Sequence, residues 1–185
     1  LPRAIRDVYK RQILQLIVRY PDLFYASRDL FVPHMVTSLA KLGFASSATA
    51  DSKKLAMDIV ALLVQWDGPA PEAESPPRKR LRTSGSPPPP YTMPVHLRDM
   101  VVSFVARFVS LSLEPIDSSD VTKQAYALLE QILTAPAWQG VTVRIALLQR
   151  ALVHTEVTDQ SMGPMVNALA TLDLMTRGRD VAWIC

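Results

Sequence analysis

The densest group of side chains able to do chemistry lies in one extended stretch, and that chemistry is recognition. Arg78, Lys79, Arg80, Leu81 and Arg82 form a compact cationic strip directly after Pro76 and Pro77. Prolines keep such a chain extended and out of helix, so the charges stand in a row, in the form an import receptor reads by charge pairing in its groove. A plain solvated charge run is the competing reading. Ser75 and Ser86 each precede a proline, and proline-directed phosphorylation there would lay negative charge beside the strip and weaken its recognition. Pro88, Pro89, Pro90 and Tyr91 match the Pro-Pro-x-Tyr pattern of WW-domain ligands, whose preformed polyproline helix lowers the ordering cost of binding; a stiff spacer is the alternative.

Reaction chemistry finds no such grouping. The chain has no Gly-rich phosphate loop, no His-Glu-x-x-His pair and no loop pairing Asp with Asn as in kinases. His34, His96 and His154 fall on separate segments and read as boundary or groove histidines. Asp58, Glu130, Asp173 and Asp180 have no convergent partner in sequence and read as surface carboxylates. The single cysteine, Cys185, excludes an internal disulfide and a Cys/His zinc cluster. The expectation is therefore no catalytic residues, no bound metal and no cofactor. Trp66, Trp138 and Trp183 read as packing between helices, with partner contact as the alternative.

The elements that would carry these residues are helical. Ile13, Leu14, Leu16, Ile17 and Tyr20 follow helical spacing until Pro21. A second helix is expected from about 28 to 42, with Leu30, Phe31, Met35, Leu39 and Leu42 on one side, Pro33 in its first turns and Gly43 as terminator. The third, capped by Asp51 or Thr49, carries Leu55, Ile59, Leu62, Leu63 and Trp66 with Met57, Val60 and Val64 beside them, a stripe wide enough to be covered on more than one side. Residues 68–94 then hold nine of the fifteen prolines and are expected to be disordered or polyproline-like. Helical pattern resumes at 95–113 with Leu97, Val101, Phe104, Phe108 and Leu111. It recurs at 119–134, at 141–154, and at 162–175 with Val166, Leu169 and Leu172, with breaks at Pro136, Gly140, Gly163 and Pro164.

Alternate helices begin near 13, 51, 119 and 161, and once the 27-residue linker is discounted the steps are 38, 41 and 42. A helix pair recurring at that pitch is the signature of a HEAT-like array, in which each pair buries its inner face against the next. The expected fold is an all-α, HEAT-like α-solenoid of antiparallel helix pairs over 13–67 and 95–185, interrupted by the proline-rich loop. Residues 6–12 resemble a translated adaptor sequence, so 1–12 carry no functional weight, and both termini read as cut ends of a longer chain.

Composition agrees with a packed helical body: 49% hydrophobic, 20% charged and 7% aromatic. The net charge of +3 is concentrated in the linker strip and leaves no basic face, so direct nucleic-acid binding is not expected. No apolar run is long enough to cross a bilayer, and no membrane partner is expected.

The order of residues adds a resemblance. Phe31, Val32, Pro33, His34, Met35 and Val36, then Ser38, Leu39, Lys41, Leu42 and Gly43, then Lys54, Leu55, Ala56, Met57, Asp58 and Ile59, and lastly Gln65, Trp66 and Asp67 resemble the transformation/transcription domain-associated protein family. The resemblance is clearest over residues 20–67 and continues more weakly through 95–175. It implies a fragment of the HEAT solenoid of a very large scaffold related to phosphatidylinositol 3-kinase-like kinases, with a pseudokinase domain of its own. It also implies a nuclear location, membership of a histone acetyltransferase complex such as SAGA, and transcription activators as partners; an importin as a further partner is expected from the linker strip Arg78–Arg82 itself. The competing expectations are a HEAT adaptor of another class, a transport receptor or phosphatase scaffold, or a segment of an active kinase of that superfamily.

Overall fold

In the computed structural model, residues 3–68, 91–143, 146–153 and 158–177 are described. Among them the regular elements are helical: α1 (Arg3–Arg19), α2 (Pro21–Phe24), α3 (Arg28–Phe44), α4 (Ala50–Asp67), α5 (Val95–Ser110), α6 (Asp120–Thr134), α7 (Ala146–Leu152) and α8 (Asp159–Thr176). Short 3-10 turns at Tyr25–Ser27, Ile116–Ser118 and Pro136–Trp138 join them.

Local chemistry sets the helix starts. Thr49, not Asp51, caps α4 by accepting from the Ser52 amide at 3.2 Å, and Ser119 caps α6 through Thr122. Thr158 and Ser161 form a reciprocal capping box on α8, each side chain accepting the other's backbone N–H. Each such cap contributes about 1 kcal/mol.

The helices stack pair on pair. Within pairs α3 packs on α4, α5 on α6 and α7 on α8; between pairs α3 meets α5, α4 meets α6, and α5 and α6 meet α8. Helices two apart in the chain therefore lie side by side, which is the one-dimensional geometry of a solenoid. Leu55, Ala56, Met57, Ile59, Val60, Leu62, Leu63 and Val64 of α4 are all buried, so its wide stripe is covered on several sides as expected. They join Val32, Met35 and Leu39 of α3, Val101, Val105 and Val109 of α5 and Leu129 and Ile132 of α6 in one core.

Several expectations are corrected. Gly43 does not terminate α3: it lies inside the helix, and a Cβ there would come 2.8 Å from the Phe104 ring, so glycine is needed to let α3 approach α5. Gly163 and Pro164 do not separate helices either. Both lie inside α8, Pro164 being its sixth residue, so the helix runs on through the proline, and a Cβ on Gly163 would collide with the Leu113 carbonyl. The fourth expected helix stops at Ser110, not Leu113, and the 141–154 helix is reduced to Ala146–Leu152, with Val141 and Val143 buried in irregular chain. The expected apolar faces also shift. Leu14 and Ile17 are buried while Ile13, Leu16, Tyr20 and Leu30 are exposed, and Val166 and Leu169 face outward.

Candidate interaction site at the root of the linker

Of the residues singled out for recognition, Ser75, Arg78, Lys79, Arg80, Leu81, Arg82, Ser86, Pro88, Pro89 and Pro90 lie outside the described residues. Tyr91 is described, and with Asp67 and Gly68 it defines how the linker leaves and rejoins the helical body.

The return is held by one buried carboxylate. Asp67, last residue of α4, has a fully buried side chain. Its Oδ1 accepts the Met93 backbone N–H at 2.8 Å and an Arg98 Nη2–H at 3.1 Å, while Oδ2 accepts Arg98 Nε–H at 2.8 Å. This is the two-pronged guanidinium–carboxylate arrangement, and it is almost dry, with the Arg98 side chain only 12% exposed. Behind it the Arg98 guanidinium lies 5.8 Å from the centre of the buried Trp138 ring. Met93 itself is buried, so the folded body resumes at Tyr91, four residues before α5 and inside the stretch expected to be disordered.

A second cation stands beside this lock. Arg28, buried at the start of α3, places its guanidinium 4.0 Å from the Tyr25 ring centre and 5.4 Å from that of Tyr91, and donates from Nη1 to the Tyr25 carbonyl at 2.7 Å. Its Nε finds no acceptor among the described residues. Tyr25 in turn meets Trp66 edge to face at 6.4 Å. Burial raises the Tyr91 phenol above its ordinary value, Asp67 and Asp29 add to that, and Arg28 and Arg98 oppose it. Tyr91 is therefore a neutral, half-buried ring seated on an arginine.

This arrangement anchors the chain where it rejoins the helical body ahead of α5, and its charged groups are engaged with one another. Among the described residues no three His, Cys, Asp or Glu side chains converge as metal ligands would. His34 on α3 and His96 on α5 are exposed, and His154 lies outside the described residues, as do Asp180 and Trp183. Asp58 accepts from Gln124 Nε2 at 3.4 Å, Asp173 pairs with Arg177 one turn on, and Glu130 is exposed on α6. Trp66 and Trp138 are both buried. No helix among the described residues is long and apolar enough to cross a membrane.

Sequence reasoning missed Asp67, Arg98 and Arg28 as a unit. A signal was present: Asp67 sits at the carbonyl end of α4 and Arg98 in the first turns of α5, each at the helix end whose dipole disfavours its charge. Two misplaced charges flanking a linker imply each other.

A family model described as the Tra1 HEAT repeat ring region matches residues 11–185. The chain is 25% identical over 172 residues to the SAGA complex/NuA4 acetyltransferase complex subunit Tra1 of Schizosaccharomyces pombe, an alignment covering 93% of this chain and 4% of that protein. It is 22% identical over 196 residues to the corresponding subunit of Saccharomyces cerevisiae, covering 93% of this chain and 5% of that protein. A 55-residue stretch, 30% of the chain and 1% of the relative, is 49% identical to the probable transcription-associated protein 1 of Dictyostelium discoideum. The chain thus spans about one-twentieth of the length of the two relatives that cover most of it. No solved structure matches it.

Proposed function

The chain belongs to the family of the Tra1 HEAT repeat ring region, and from that premise we propose that it is a non-catalytic scaffold segment of a large nuclear coactivator subunit of a histone acetyltransferase complex. The family match over residues 11–185 carries this reading. The stacked pairs support it physically, because an all-helical array offers long, shallow surfaces and buries its apolar mass in self-packing. Its partners in this reading are the other subunits of the complex and transcription activators, with no direct contact to nucleic acid or membrane.

The linker adds the addressable part. Arg78–Arg82 is the strip an importin would read, with Ser75 and Ser86 as phosphorylation sites that tune it and Pro88–Tyr91 as a WW-domain ligand. The Asp67–Arg98 lock closes the base of this loop, so a receptor can take hold of it without separating the end of α4 from the start of α5. Engagement of Tyr91 would require lifting its ring from Arg28.

The test is purification of the intact parent protein from nuclear extract with an antibody raised against residues 20–67, followed by assay of the eluate for histone acetylation. Acetyltransferase activity in the eluate is the expected result. Recovery of transport-receptor or phosphatase subunits without it would leave the solenoid standing and overturn the coactivator assignment, and kinase activity of the parent would overturn the non-catalytic one.

A further inference from the structure

The chain re-enters the helical body with alternate side chains turned inward. Tyr91 is half-buried and Met93 is buried, while Thr92 and Pro94 are exposed. This is the two-residue alternation of extended chain, and the Met93 backbone N–H, held by Asp67 at 2.8 Å, fixes its register. Tyr91, two positions earlier, is therefore turned onto the body, where it packs against the core with its ring centre 5.4 Å from the Arg28 guanidinium. Arg28 is 6% exposed, donates to the Tyr25 carbonyl, and has no acceptor for its Nε among the described residues. A guanidinium so enclosed relies on the ring faces of Tyr25 and Tyr91, and a desolvated cation–π contact is stronger than an exposed one.

We propose that this seat is an autoinhibitory contact, in which the folded body and a WW-domain partner compete for the Tyr91 ring. The inference rests on the reading of Pro88–Tyr91 as a WW-domain ligand and names how that ligand is regulated. An aromatic-lined groove of that kind takes the prolines and the tyrosine together. A ring lying on Arg28 and the core is not offered to it, so the ligand is competent only in the fraction of molecules whose Tyr91 has lifted off. The cation–π contact and the half-burial of the ring hold the seated state at roughly ten to one, which lowers the partner's affinity about tenfold. The Asp67–Met93 bond lies two residues downstream of the ring and persists while Tyr91 is lifted, so release frees the ligand without opening the base of the loop. Whatever draws Arg28 away from Tyr91 raises the partner's affinity, and by reciprocity a bound partner leaves Arg28 without one of its two rings.

The test titrates a Pro-Pro-x-Tyr-binding WW domain with the full 185-residue chain and, separately, with a free peptide of residues 84–93. Two changes to the chain release the ring. Insertion of Gly-Ser-Gly-Ser between Tyr91 and Thr92 uncouples it from its register and leaves Arg28 and the Asp67–Met93 bond in place. Arg28→Met keeps the apolar stem and removes the cation, with the helix signal checking that the body stays folded. The expected result is about tenfold weaker binding by the chain than by the peptide, brought to within about twofold by the insertion and moved the same way by Arg28→Met. Equal binding of chain and peptide overturns the inference while leaving the WW reading intact, and so does a deficit that survives the insertion. Failure of the peptide itself to bind overturns the WW reading and the inference with it.

Discussion

Replacing Asp67 with alanine probes the anchoring of the linker most sharply. The substitution leaves the Arg98 guanidinium, 12% exposed, without its carboxylate, and strands the buried Met93 amide. Breaking a buried ion pair from one side costs about 3–5 kcal/mol, and a hydrogen bond to a charged group adds about 1.5–3 kcal/mol when considered alone. The terms overlap, and Arg98 retains its place over Trp138 and some access to water, so the expected loss is about 3–4 kcal/mol. Urea unfolding followed by helix signal measures it, with an unchanged m-value showing that the same surface is exposed. The double variant Asp67→Leu/Arg98→Leu should recover part of the loss, since a hydrophobic pair of similar volume removes the orphaned charge but leaves the Met93 amide unpaired. A loss below about 1 kcal/mol for Asp67→Ala would show that the pair behaves as a surface contact and refute the dry-lock reasoning.

Gly43→Ala sets two effects in opposition: helix propensity favours alanine by about 1 kcal/mol, while overpacking against Phe104 costs about 1–3 kcal/mol. Net destabilisation in a thermal melt is expected, and restoration by Phe104→Leu would locate the clash. Tyr91 and Tyr126 both have phenols raised by burial, so the folded state holds their protons longer; their stabilisation is complete below pH 10 and is lost as pH rises past it. Tyr91→Phe should therefore make unfolding less steeply pH-dependent above pH 10, measured by denaturant titration against the parent chain. Replacing Arg78, Lys79, Arg80 and Arg82 with alanine should leave helical content unchanged while reducing nuclear accumulation of a fused reporter, and unchanged accumulation would remove the import role.

The helices themselves were legible because 3.6-residue periodicity survives without knowledge of neighbours, and α4 most clearly so, since burial on several sides makes its stripe wide. Which face of an end helix is buried was not legible. In α1 both Leu14 and Leu16 fit the pattern, and only packing against α4 selects Leu14 and Ile17. In α8 the apolar set Val166 and Leu169 points outward because Asn167 is claimed by the α5–α6 turn, a contact spanning more than fifty residues that no local window contains. Gly43 and Gly163 read as breakers because sequence alone does not separate a glycine chosen for backbone freedom from one chosen for close approach. The linker lock was hidden for a related reason: Asp67 and Arg98 are 31 positions apart, and only the misfit of each charge with its helix end hinted at a partner.

The most direct measurement of the scaffold claim is a density map of the acetyltransferase complex purified with the parent protein, into which this segment is fitted. The account predicts the pairs α3–α4, α5–α6 and α7–α8 stacked in line within a longer helical array, with the linker leaving between α4 and α5 and other subunits touching the outer surfaces. Finding the segment folded into a catalytic domain, or absent from any acetyltransferase assembly, would contradict it.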